Sequence, residues 1–154
     1  MIVFGCFLQL PRDRLEILGL LGLLQDIGKL KLDLDLLDKT ANLTSDELER
    51  VKSHVAYSVE MLRGTPGLPP DLPGLAALHH ERQDGSGYPK GLKGPQIGMI
   101  GAIARIVDTF DALTMSRAYA PRVAPANALN AIYKGRGTLF HAALVEQFIQ
   151  CISI

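Results

Sequence analysis

The sequence predicts an all-α protein of a single domain. Three observations lead there. Apolar residues recur at spacings of three and four through most of the chain. A helix-start signal stands at Thr44-Ser45-Asp46-Glu47. The Gly- and Pro-rich stretches fall between the periodic segments. The 154 residues suit one domain of roughly 100–200 residues. A composition of 47% hydrophobic and 21% charged residues supports a packed core and argues against disorder.

Residues 1–11 form an apolar N-terminal segment closed by Pro11. It is too short for a membrane span of about 20 residues, and it has no basic stretch ahead of the apolar run, as a signal peptide would. It reads as a terminal strand or helix packing on the domain or on a neighbouring chain. Residues 12–154 hold the rest. Arg12–Ile27 carries Leu15, Ile17, Leu18, Leu20, Leu21, Leu23 and Leu24, which predicts a helix buried all round. Gly28 and Lys29 fit its C-terminal end, Gly by relieving strain and Lys by suiting the dipole. Lys31–Asn42 alternates charge and Leu; Asp is unfavourable in strands, so a loop with a short helical turn is expected. The capping box at Thr44 opens a helix running to Arg63, with Leu48, Val51, Val55, Val59 and Leu62 as one buried stripe. Gly64–Gly74, with four Pro and three Gly, is a loop. Leu75–Arg82 reads as a short helix bearing His79 and His80, and Gln83–Pro95 as a loop ordered by turns. Ile97–Leu113 is a helix with Asp108 and Asp111 embedded in it. Pro125–Tyr133 and His141–Ile154 are the closing helices.

Charge and cysteine content narrow the function. Lys and Arg number 16, as do Asp and Glu. That balance argues against gripping long nucleic acid, which needs a basic surplus. Five Phe, four Tyr and no Trp argue against base-stacking platforms. Cys6 and Cys151 form no metal-ligand spacing and are too few for a disulfide scaffold, so a reducing cytoplasm is expected.

The chemistry-bearing residues are Asp26, His54, His79, His80 and Asp108, distributed over several predicted helices. Imidazole and carboxylate suit Zn, Fe, Ni or Mn, and bundle sites gather such ligands from facing helices. Each residue also has a plainer reading. His54 lies at the edge of the apolar stripe, where an imidazole is either a ligand or a hydrogen-bonded core residue. Asp108 sits in an apolar helix, where a carboxylate needs a metal or a salt bridge to Arg105 or Lys29. The loop Asp84-Gly85-Ser86-Gly87-Tyr88-Pro89 permits close backbone approach to a ligand, and Arg82 beside the His pair is a candidate anion-binding group. His141 has no assigned role and is expected on the surface.

At these residues the sequence resembles a known family. Leu24-Gln25-Asp26-Ile27-Gly28-Lys29 resembles the HD motif, HDxGK. His79-His80-Glu81-Arg82-Gln83-Asp84-Gly85-Ser86-Gly87-Tyr88-Pro89 matches the signature HHExxDGxGYP. Ile106-Val107-Asp108-Thr109-Phe110-Asp111-Ala112-Leu113-Thr114 resembles the later acidic helix. Together they mark the HD-GYP domain, from about Leu20 onward. The resemblance implies an HD-superfamily helical bundle and a role in bacterial signalling, as a phosphodiesterase of cyclic di-GMP using two or three divalent ions, often iron or manganese. By position, Asp26 would bridge metals, His54, His79 and His80 would complete the second site, and Asp108 would bind the first ion. Asp26 and Lys29 would be catalytic, Lys29 and Arg82 would meet phosphate, and Gly87, Tyr88 and Pro89 would shape the loop beside substrate or a signalling partner. A homodimer is a further expectation.

Two departures qualify the expectation. The HD histidine is Gln25, a poorer transition-metal ligand than imidazole. The family's upstream helix with a further His is missing, and the last helix is cut short, so the domain reads as incomplete at both ends and as a fragment or shortened product. The expected outcome is one bound ion and impaired hydrolysis. The alternative is an inactive domain that binds cyclic dinucleotide or a partner through the GYP loop.

Overall fold

The computed structural model describes residues 1–115 and 122–153. Helices α1 (Ile2–Phe7) and α2 (Arg12–Leu24) lead into a 3₁₀ segment at Ile27–Lys31. Then come α3 (Leu34–Leu37), α4 (Ser45–Lys52), α5 (His54–Arg63) and α6 (Leu72–Ala76). A second 3₁₀ turn, Gly94–Ile97, precedes α7 (Gly98–Thr114), α8 (Pro125–Lys134) and α9 (Ala142–Ile152). The described residues hold no β-strand longer than an isolated bridge, so the all-α expectation holds. No helix among them is long and apolar enough to cross a membrane.

The core is aliphatic, as a chain without Trp requires. Leu18 and Leu21 of α2, Leu62 of α5, Leu72 and Ala76 of α6, and Ile103 and Ile106 of α7 share one cluster with Ile132 and Phe148. Helix α5 packs on the first 3₁₀ segment and on α6, α2 packs on α6 and α7, and α7 packs on α8. The N-terminal α1 joins α2 and α9, with Phe4 buried edge-on to Phe148 at 5.1 Å between ring centroids.

Several boundaries differ from the expectation, each for a local reason. Helix α2 ends at Leu24, not Ile27, and it is not buried all round: Leu23 is 80% exposed. Gly28 is therefore no helix cap; it lies inside the 3₁₀ segment. The helix from Ser45 to Arg63 is two helices broken at Ser53, whose hydroxyl donates to the Arg50 carbonyl at 2.6 Å. The break turns Leu48 out to 45% exposure, so the stripe begins effectively at Val51. A hydrophobic spacing rule does not register a one-residue kink. The capping box at Thr44 is present in full.

Helix α6 starts at Leu72 because Pro73 is tolerated in a first turn. It stops before the His pair, which lies in turns rather than on the helix. There the His79 Nδ1 sits 2.7 Å from the Ala76 carbonyl, the group that the next helical amide would otherwise use. His141 is the N-cap of α9, its Nδ1 accepting from the Leu144 amide at 3.4 Å, which supplies the role missing at sequence level. The predicted end of this helix at Ile154 lies outside the described residues.

Candidate metal centre

Four side chains meet at one end of the bundle. Asp26 follows α2, His54 opens α5, and His79 and His80 follow α6. One ligand atom from each lies within 4.8 Å of all the others. The backbone approach that allows this depends on Gly28. A Cβ there would fall 2.1 Å from the His54 carbonyl oxygen and 2.4 Å from the Ser58 amide nitrogen. The Gly28 amide instead donates to the buried Ser58 hydroxyl at 2.9 Å, locking the 3₁₀ segment to α5.

Second contacts fix the two innermost imidazoles. His54 and His79 are 1% and 0% exposed. His54 Nδ1 lies 2.6 Å from the Val51 carbonyl, and His79 Nδ1 2.7 Å from that of Ala76. A carbonyl only accepts, so each Nδ1 carries a proton and each ring turns its Nε2 toward Asp26. Those Nε2 atoms face each other at 3.5 Å and lie 3.2 and 3.5 Å from Asp26 Oδ1. Among the described residues, buried Asp26 Oδ1 has no well-aligned hydrogen-bond donor. Three atoms able to ligate a metal thus converge. A point equidistant from all three lies ~2.0 Å from each, matching metal–N and metal–O bonds of about 2.0–2.2 Å. The residues fit a divalent ion.

Electrostatics agree. Burial pushes the Asp26 carboxyl up, but His54, His79 and Lys29 outweigh it and hold the group well below the usual carboxylate range. Lys29 Nζ pairs with Asp26 Oδ2 at 2.8 Å. His80 is lowered to about 2, first by burial and then by its His79 and His54 neighbours, so its ring stays neutral.

Asp108 and Gln25 stand beside this cluster. Asp108 is not among the four converging ligands. It lines a cavity of about 260 Å³ with Gln25, Asp26 and Asp111. Gln25 is buried, its Nε2 donates to Asp108 Oδ1 at 3.4 Å, and among the described residues its Oε1 has no partner. Burial raises the Asp108 carboxyl.

The Gly-rich loop closes the other side. Glu81, buried to 1% exposure, accepts from the Lys90 amide at 2.8 Å and the Leu92 amide at 2.9 Å. It pins both strands of the loop, a role sequence reasoning missed although the residue stands within the quoted signature. Gly87 passes so close to the turn at residues 80–82 that a Cβ would meet the Arg82 amide nitrogen at 2.4 Å. That approach stacks Tyr88 on His80 at 4.6 Å. The Tyr88–Pro89 peptide is cis. Burial pushes the Tyr88 phenol up to about 12, so it remains a neutral donor. Arg82 Nη1 donates to Ser86 Oγ at 3.3 Å. A groove of about 800 Å³ runs from His54, His80, Tyr88 and Lys29 toward Leu36 and Asn42. Pro89, which follows Tyr88, is exposed.

The HD domain family matches residues 4–144. The chain belongs to that family. Curated relatives place it in the HD-GYP branch. A cyclic di-GMP phosphodiesterase response regulator of Xanthomonas campestris is 35% identical over 144 residues, covering 93% of this chain and 38% of the relative. A cyclic di-GMP phosphodiesterase of Thermotoga maritima is 36% identical over 128 residues, covering 82% and 35%. A 3'3'-cGAMP-specific phosphodiesterase of Vibrio cholerae is 35% identical over 128 residues, covering 82% and 24%. This HD-GYP domain therefore spans well under half the length of those relatives.

Proposed function

We propose that this HD-GYP domain hydrolyses the phosphodiester bonds of a cyclic dinucleotide, cyclic di-GMP foremost, with a divalent ion held by Asp26, His54, His79 and His80. The convergence of the two Nε2 atoms and Asp26 Oδ1 carries this reading. The names of the relatives support the substrate class. The resemblance to the HD-GYP family favours iron or manganese, and the imidazole and carboxylate donors admit either. When bound, the ion would act as a Lewis acid on the phosphodiester and promote attack on phosphorus. Lys29 and Arg82 supply positive charge toward the phosphate, and neutral Tyr88 offers a hydrogen bond. Asp108 belongs to the first-ion site in this proposal, and Gln25 is its weak member.

The contact from Gln25 to Asp108 favours a second reading, a domain that binds cyclic dinucleotide without cleaving it. The two readings separate in one assay. Manganese- or iron-loaded protein is given cyclic di-GMP, and linear dinucleotide is followed beside Gln25→His. The hydrolytic reading expects slow turnover that rises about 100-fold in the variant, as a second ion enters. Intact binding with no turnover in either protein selects the second reading.

A protein partner at Gly87-Tyr88-Pro89 and a homodimer belong to the same proposal. The stacking of Tyr88 on His80 supports the first, because a partner touching that turn would sense the metal cluster. Sizing chromatography tests the second. The proposed compartment is the cytoplasm, supported by the unpaired Cys6 and Cys151.

A further inference from the structure

The groove beside the metal cluster has a far end that no step of the proposed hydrolysis uses. The whole groove measures about 800 Å³, within the roughly 300–1,000 Å³ of ligand pockets, so it has room for more than a phosphate. Its outer wall is residues 38–43, which join α3 to α4. That wall is irregular backbone, but it is tied at both ends. The Asp38 amide donates to the Leu34 carbonyl at 2.8 Å. Lys39 Nζ donates to both carboxylate oxygens of Glu47 at 2.7 Å. Glu47 also accepts from the Thr44 amide at 2.8 Å. Asp33, just before α3, pairs with Arg50 of α4. The wall is therefore shaped before any ligand arrives.

The charges along the groove are unequally spent. Lys29 is paired with Asp26 and Lys39 with Glu47. Asp38 is the one carboxylate among the described residues that line the groove, and its side chain enters no hydrogen bond or ion pair among them. Asn42 lines the same end, and Leu36, Leu43 and Val51 add apolar surface on which a flat ring can lie. An unpaired carboxylate repels an anionic ligand unless the part that reaches it carries hydrogen-bond donors. In a cyclic dinucleotide the negative charge lies on the phosphates, which Lys29 and the ion attract. A base is what extends beyond them.

We infer that Asp38 reads this base and selects guanine. Guanine presents N1–H and N2–H side by side, and the two oxygens of one carboxylate can accept both. Adenine presents an N1 lone pair in the place of the first donor, and a carboxylate has no proton to offer it. Asn42 offers an amide to the ring from the same wall. Asp38 is thus a specificity residue of the groove, apart from the metal ligands. The inference rests on the cyclic dinucleotide reading above and names the base that the groove prefers.

Calorimetric binding to the manganese-loaded protein tests it, with cyclic di-GMP and cyclic di-AMP as the two probes. The parent is expected to prefer cyclic di-GMP by about 10-fold or more. Asp38→Ala is expected to collapse that ratio. Asp38→Asn is expected to turn it toward cyclic di-AMP, since a carboxamide accepts from the adenine N6–H and donates to N1. Loss of charge alone would change both affinities together and leave the ratio fixed. Asp38 is exposed, so both variants are expected to keep the parent's metal content and melting temperature. Cyclic di-IMP, which lacks the N2 amino group, is expected to fall between the two probes in the parent and needs no variant. A parent without base preference, a ratio unchanged within about twofold in both variants, or cyclic di-IMP bound as tightly as cyclic di-GMP overturns the inference and leaves the proposed function intact. A parent that binds none of the three overturns both.

Discussion

The two sides of Asp26 use similar side-chain sizes to opposite effect. On one side, His54 and His79 spend their Nδ1 protons on backbone carbonyls and turn Nε2 inward. On the other, Gln25 turns an amide proton toward Asp108. The first arrangement demands a cation, whereas the second partly neutralises a carboxylate without one. What decides the chemistry is which atom faces the site, and a backbone carbonyl one turn away sets that for each imidazole.

Removing one of the inward imidazoles should break the contrast most severely. His79→Ala should lower manganese affinity by about 100-fold or more, measured by titration against a chelator. Asp108→Ala should lower it far less, since Asp108 lies outside the four-residue cluster. Equal losses would show that both sides hold one ion in common.

Gly28→Ala attacks the scaffold beneath the cluster. The added methyl meets backbone atoms that cannot rotate away. It should destabilise the fold by about 3 kcal/mol in denaturant unfolding and remove metal binding with it. A stable variant that still binds metal would mean that the 3₁₀ segment shifts without cost.

Acid should sharpen the picture more gently. His80 is lowered to about 2 in the fold, whereas an unfolded His titrates near ~6.5. Between those values the unfolded state binds the extra proton, so folding stability falls as pH falls. The slope for this one group is at most about 1.4 kcal/mol per pH unit. Unfolding of chelator-treated protein between neutral pH and mild acid should show it, and His80→Gln should flatten the curve.

The smallest effect lies far from the cluster. Thr44→Ala removes the capping box of α4 and should lower stability by about 1 kcal/mol. Metal affinity should not change. A loss of metal would tie α4 to the site through α5, contrary to the hinge at Ser53.

Much of this was legible in the sequence because the signals are local. The capping box, the apolar faces of α7 and α9, and the His pair with its Gly-rich loop each occupy consecutive residues. Breaks in helices were less legible, since Ser53 and His79 end regular structure through their own side chains. The role of Gly28 depends on a partner far along the chain, and that of Glu81 on amides beyond the Gly-rich loop. Gly28 reads as a helix terminator until α5 is seen against it. Gln25 was visible as a departure, but its contact with Asp108 spans the distance from α2 to α7.

The Glu81 carboxylate fixes where this sequence can change length. It joins residue 81 to residues 90 and 92, making the segment between them a closed ring of set circumference. An extra residue inserted there would slide Tyr88 off His80, even if every original side chain were kept. The connection between α5 and α6 is held at Leu68, which packs on the core, and at Asp71, which pairs with Arg14, but Pro66 and Gly67 ahead of them are exposed, and insertions there need not move a ligand. A reporter peptide or affinity tag belongs near Gly67, and never between Arg82 and Pro89.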